Sequence, residues 1–318
     1  MNAKKVNWAF LISIILYIAL SYGLVYLAPN LADSIVASNF LVEMVVLLPG
    51  ILFILLSKEK LTEFLHFRRI KVGTFFGIIL FTICTTPVIT LFNLLTQFFV
   101  ENTATGMMSD YGIAEMPFLL IWFTVGLFAP FCEEVACRGV YYRGYRKSGS
   151  AFWAMILSAL LFGLVHMNLN QAVYAFAMGI LAVLLVEATG SIWSSVLYHA
   201  LINSSQVAIM YLALKMDPAA YNDAAEVVTT DFLVMGVAVY LALAAVGLPL
   251  AWALLIWMSE REGRRGVLLS VWTERKRKKE AAVTEDGKRK KKDRLITVPL
   301  IIGLLLCMVM IVLPMILS

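Results

Sequence analysis

Apolar residues run along this chain in long unbroken stretches, and the polar positions collect in the gaps between them. The stretches cover residues 8–28, 40–56, 73–100, 117–142, 151–168, 171–188, 191–213, 231–258 and 295–317. A helix that crosses a bilayer needs about 20 predominantly apolar residues. Most of the runs meet that length; the second and the sixth are short. A membrane barrel strand would alternate apolar and polar side chains over about ten residues, whereas these runs are continuous. The pattern predicts an all-α, polytopic transmembrane helix bundle of about nine spans.

Composition agrees. Of the 318 residues 61% are hydrophobic and 15% charged, against roughly 25% charged in a soluble domain. There is too little polar surface to cover a water-facing globule. The net charge of +5 is unevenly placed, because residues 259–294 hold 14 of the 26 Lys and Arg residues. That segment reads as a basic cytoplasmic loop near anionic lipid; without interleaved aromatics beyond Trp272 it does not read as a nucleic-acid site, and no nucleic-acid partner is expected. Cys84, Cys132, Cys137 and Cys307 lie in apolar stretches without CxxC spacing, which predicts buried free thiols. The run after Lys4 and Lys5 exceeds the ~7–15 residues of a signal-peptide core and is expected to stay as the first span.

The loops fix an orientation. Residues 57–72 carry Lys58, Lys60, Arg68, Arg69 and Lys71, and 138–150 carry Arg138, Arg143, Arg146 and Lys147. Residues 29–39 and 101–116 have no Lys or Arg, and 214–230 only Lys215. With nine spans, all the basic loops fall on one side. The positive-inside rule then puts the N-terminus in the cytoplasm. The expected organisation is a bundle over 1–258 with its catalytic core at about 117–210, the basic loop 259–294, and a C-terminal transmembrane helix at 295–318. No internal repeat of the transporter kind is visible.

Ionisable groups inside spans cost about 2.5–3.5 kcal/mol each on insertion scales, so each needs a reason. Glu43 and Glu187 sit near span ends and are expected at the interface. Asp231 is expected to cap its helix, and His66 to be solvated in its basic loop. A different set falls deep. Glu133, Glu134 and Arg138 lie late in the fourth span, Phe162 and His166 in the fifth, and His199 and Asn203 in the seventh. Glu134 and Arg138, four apart, can pair on one helix face. Glu133 is turned about 100° from Glu134 and is left for chemistry. At about 1.5 Å per residue, Glu133 lies some 15 Å from Arg143, His166 about 21 Å from Phe152, His199 about 12 Å and Asn203 about 18 Å from Ser191. Four polar groups on three helices thus fall in one slab between the cytoplasmic leaflet and the membrane centre.

The ordered motifs EExxxR (Glu133, Glu134, Arg138), FxxxH (Phe162, His166) and HxxxN (His199, Asn203) resemble those of the CPBP family of intramembrane endopeptidases, which includes the type II CAAX prenyl proteases and the bacteriocin-immunity Abi proteins. The resemblance covers about residues 117–210. Gly139 fits the usual Arg-Gly pair, and Cys137 departs from the aromatic often found before the arginine. The resemblance implies a helical bundle with its site open toward the cytoplasm and a glutamate-type peptidase. A desolvated Glu133 suits a general base, with His166 helping to activate water. His199 and Asn203 would stabilise the oxyanion, while Glu134, Arg138 and Phe162 support the site. No cofactor is expected; the alternative is zinc on Glu133, His166 and His199, although no HExxH is present. The expected partners are the lipid bilayer and a lipidated or membrane-bound peptide or protein substrate. The expected location is a cell membrane crossed many times, the bacterial cytoplasmic membrane. Rival functions are a non-enzymatic adaptor or immunity protein and, with less support, a transporter.

Overall fold

The computed structural model describes residues 1–100, 102, 111–217, 219–221, 228–280 and 294–317. Every regular element among them is helical: α1 (Ala3–Leu27), α2 (Ile35–Leu56), α3 (Val72–Thr96), α4 (Phe118–Ser148), α5 (Ala151–Leu164), α6 (Leu169–Thr189), α7 (Ile192–Met216), α8 (Thr230–Arg261), α9 (Val267–Glu280) and α10 (Val298–Leu317), with short turns of helix at Pro29–Ala32, Ile113–Glu115 and Leu61–Leu65. Among the described residues eight helices are long and apolar enough to cross a membrane, and α5 is apolar but short. The chain is a multi-pass membrane protein.

Polar side chains start the helices where the apolar runs begin. Asn2, Ser34, Ser150, Asn168, Ser191 and Thr229 each accept a hydrogen bond from a first-turn backbone N–H, which satisfies a donor the helix itself leaves open. Thr229 therefore caps α8, and Asp231 lies in the first turn. The lysine-rich residues 281–293, and most of the gaps 101–110 and 222–227, lie outside the described residues. The basic segment is not all loop, since α9 occupies its first half.

The helices bury one side and show lipid the other. Leu48, Leu52, Phe76, Leu80, Ile83, Leu243 and Val246 are exposed. In water so much apolar surface would drive association; in a bilayer it faces lipid tails. Helix α6 is the most enclosed of the spans, and it packs with α4 at the centre of the main hydrophobic cluster. Residues Val135–Tyr142 of α4 are all buried.

Two departures from regular α-helix shape the centre. Helix α4 winds as π-helix over Trp122–Phe128 and again over Val135–Tyr142, on either side of Ala129–Glu134. Such widened turns are frequent at functional sites. The second departure corrects the predicted span 151–168. Helix α5 has 14 residues, or about 21 Å at 1.5 Å per residue, and cannot cross a hydrocarbon core of about 30 Å. Gly163 approaches the carbonyl oxygen of Ala172 on α6 so closely that a methyl there would overlap it. The chain then reverses at Met167, whose φ is 52°. Irregular backbone at membrane depth is tolerated where it lies within protein or lines a cavity.

Candidate active site

Glu133 and Glu134 come at the junction between the regular turn of α4 and its second π segment. Glu134 and Arg138 are 0% and 1% exposed and pair at 2.7 Å, from Nη1 to Oε1. The guanidinium also lies 4.2 Å from the centroid of the Phe162 ring. A buried ion pair with a ring against it replaces part of the lost hydration. Glu134 has a second partner, since its Oε1 lies 3.1 Å from Nδ1 of His199.

Glu133 faces the other way and keeps 15% exposure. Its two carboxylate oxygens are divided between two imidazoles. Oε1 lies 3.6 Å from Nε2 of His166, and Oε2 lies 3.5 Å from Nε2 of His199. These gaps are longer than direct hydrogen bonds. His166 belongs to the reversal that follows α5, not to a helix. Its Nδ1 lies 2.8 Å from the carbonyl oxygen of Phe162. An acceptor at each Nδ1 sets both rings with that nitrogen protonated and Nε2 turned toward Glu133.

Phe162 organises the group. Its ring meets His166 at a centroid distance of 5.2 Å and 84°, and His199 at 5.5 Å and 83°, both edge contacts. One aromatic side chain thus touches the guanidinium and both imidazoles. Asn203 lies one turn beyond His199 on α7. Its amide Nδ2 donates to the carbonyl oxygen of Val125 at 3.3 Å, within the first π segment of α4. The structure therefore gathers Glu133, Glu134, Arg138, Phe162, His166 and His199 in direct contact and turns Asn203 toward the neighbouring wall. That wall borders a cleft of about 340 Å³ lined by Val25, Asn39, Val42, Val125 and Gln171, among others.

Two imidazoles and a carboxylate have the donor chemistry of a zinc centre. Among the described residues, however, no group of three or more His, Cys, Asp or Glu side chains is placed to hold a metal ion.

Three sequence readings change. Glu43 is not interfacial: it is 4% exposed, inside α2, and in the electrostatic field of Glu133. Helix α2 begins at Ile35, not at residue 40, so Glu43 is more than two turns in. The cap at Ser34 was the available signal. Glu187 is near a helix end as expected, but it is buried, accepting from the Tyr142 hydroxyl at 2.5 Å and lying 3.8 Å from both Arg146 and Arg264. His66 is half-buried at the end of the Leu61–Leu65 turn, and its carbonyl accepts from the Ile192 N–H at 3.2 Å. The cysteines are free; Cys132, Cys137 and Cys307 are buried and Cys84 partly so.

The site lies inside a segment shared with known proteins. Residues 115–205 match the family model described as type II CAAX prenyl endopeptidase Rce1-like. A relative from Bacillus subtilis (strain 168), named "Putative membrane peptidase YdiL", is 28% identical over 100 residues, covering 31% of this chain and 40% of its own length. No solved structure matches. The ordered motifs, the matched segment and the relative converge on the same stretch of the chain, and residues 115–205 are similar to the Rce1-like family.

Proposed function

We propose that the chain is an intramembrane endopeptidase that hydrolyses a peptide bond near the cytoplasmic side of the membrane. The observation that carries this reading is the convergence of both Nε2 atoms on the two oxygens of Glu133. A water seated beside Glu133 and His166 reaches both groups. Glu133 takes its proton, and the hydroxide attacks the scissile carbonyl carbon. The developing oxyanion accepts a hydrogen bond from Nε2–H of His199 in its imidazolium form, which keeps both of its protons throughout and which Glu134 balances at Nδ1. Asn203 supplies a second donor after rotating away from Val125. Glu133 then passes its proton to the leaving nitrogen, so that water and peptide bond become carboxylic acid and amine. Arg138 holds Glu134, and Phe162 fixes the rings.

The substrate class follows from the surroundings. The groups lie within the bundle, so the substrate must reach them from lipid or from the cytoplasmic face. A lipidated or membrane-bound peptide or protein fits that route, and the bacterial cytoplasmic membrane is the proposed location. The test compares membrane peptides from cells carrying the native protein with those carrying Glu133→Gln. Loss of a general base costs about 10²–10⁴-fold in rate, so cleavage products disappear while the folded protein persists. A folded Gln variant with full cleavage sinks the peptidase reading. Exhaustive chelation of the purified native protein is expected to leave cleavage intact; a loss that added zinc restores would replace this chemistry with the metal version.

A further inference from the structure

Glu43 is a buried carboxyl that the steps above do not use. It is 4% exposed, and its Oε2 is buried without a hydrogen-bond partner. Two contacts fix how α2 lies on α4. Phe40 stacks on Phe128 at a centroid distance of 5.3 Å. Further along both helices Gly50 meets Val140, where a methyl on the glycine would sit 3.0 Å from Val140 Cγ2. The residue numbers rise together, so the two helices run parallel. Glu43 is seven residues before Gly50, and Glu133 is seven before Val140. Glu43 thus lies between Phe40 and Gly50, and Glu133 between Phe128 and Val140, so both carboxyls fall within the stretch that the two contacts bracket. Asn39, one turn from Glu43 on the same face, lines the cleft and also has a buried, unpartnered side-chain oxygen.

The charged surroundings are sparse. Glu133 is the group that acts on Glu43 electrostatically; no Lys or Arg among the described residues does so. Tyr17 of α1, and Cys132 and Cys137 of α4, lie in the field of Glu43. A carboxyl buried without an ion-pair partner, as Glu43 is, is favoured in its neutral form, which leaves it an O–H to donate.

We infer that Glu43 is a positioning residue: its carboxyl O–H donates a hydrogen bond to Glu133, directly or through one water, and holds that carboxylate in line with His166 and His199. The role in catalysis rests on the peptidase reading above; the hydrogen bond does not. It explains why a glutamate is kept on a lipid-spanning helix with no basic partner. It also explains how the Glu133 carboxylate stays facing the two Nε2 atoms.

Infrared spectroscopy of the purified full-length protein tests the bond without any substrate. The native protein at neutral pH is expected to show a carboxylic-acid C=O stretching band that Glu43→Gln lacks. Glu133→Gln replaces the carboxylate acceptor by a weaker amide, and should move that band to higher frequency. A native spectrum without the band, or a band that Glu133→Gln leaves in place, overturns the inference while leaving the peptidase reading untouched. Should Glu43→Gln fail to fold by circular dichroism, the Glu133→Gln shift decides alone. Where a cleaved peptide has been identified, Glu43→Leu is expected to lower kcat about 100-fold with KM unchanged, the scale of a misplaced catalytic group. Glu43→Gln, whose amide can still donate, should recover most of that loss. Equal loss in both folded variants would reduce Glu43 to a packing role and refute the positioning claim.

Discussion

His199 touches both adjacent carboxylates, Glu134 through Nδ1 and Glu133 through Nε2. One imidazole thereby joins a structural ion pair to the chemical group beside it. Glu134 can serve this way only while Arg138 neutralises it, because an unpaired buried charge costs several kcal/mol. Arg138 is itself sparsely satisfied: Nε and Nη2 have no hydrogen-bond partner, and the Phe162 face takes their place. Arg138→Met removes the cation and keeps similar bulk. It is expected to destabilise the protein by about 3–5 kcal/mol, the usual cost of breaking a buried pair from one side. Adding Glu134→Gln should return most of that stability without returning cleavage, because His199 then loses its carboxylate. Unfolding of the three proteins in one detergent measures it. A double variant as unstable as Arg138→Met would mean that Glu134 is not the group left uncompensated.

At the level of elements, the site depends on a helix that stops halfway. Helix α5 ends at Leu164, and the reversal that follows delivers His166. Its closeness to α6 rests on Gly163, which lies against the Ala172 carbonyl. Gly163→Ala must push the two helices apart, and His166 moves with them; cleavage is expected to fall about 100-fold, the effect of a misplacement of about 1 Å, with helix content unchanged by circular dichroism. The loop between α2 and α3 is a second such element. The His66 carbonyl and the Arg68 carbonyl hold the first turn of α7, through Ile192 and Ser191. Burial, with the charges of Arg143, Arg68 and Arg264, lowers the His66 imidazole from 6.5 to about 4. The folded chain prefers the neutral ring, so its contribution is complete above pH 6.5 and is lost as the pH falls toward 4. His66→Asn tolerates the same left-handed backbone, φ 55°. Its unfolding midpoint should fall less than that of the native protein across this pH range; equal falls would place the acid sensitivity elsewhere. Neither element was readable from the apolar runs. Hydrophobicity reports that residues 151–168 avoid water, but α5 and its turn are shielded by protein, and a shielded turn is as apolar as a span. That Glu133, His166 and His199 could meet was readable because helical rise converts sequence distance into height along each helix. The rotation that brings Glu43 inward was not, because it depends on where α2 begins.

For the whole molecule, the apolar runs found the helices, and the eight long ones have lipid-compatible outer faces. What the runs do not carry is direction, which rests on charge. The loop 57–71 holds Lys58, Lys60, Arg68, Arg69 and Lys71, and the far end of α4 holds Arg143, Arg146 and Lys147. The structure brings these two ends together: Lys147 binds Glu59 at 2.7 Å, and its Nζ lies 4.6 Å from the ring centroid of Phe64. The two basic segments therefore share one face of the bundle, independently of how many spans separate them in the chain. Residues 29–34, at the opposite ends of α1 and α2, have no basic side chain. Basic short loops stay in the cytoplasm, so the Lys60 face is expected inside. A membrane-impermeant maleimide on intact cells tests this in a protein whose four cysteines have been replaced. Asp33→Cys should be labelled without lysis, and Lys60→Cys only after it. The reverse pattern would turn the bundle over. It would put the buried end of α4, and with it the release of any cleaved product, on the outer side of the membrane, and the cytoplasmic peptidase proposal would fall even with every side chain of the site in place.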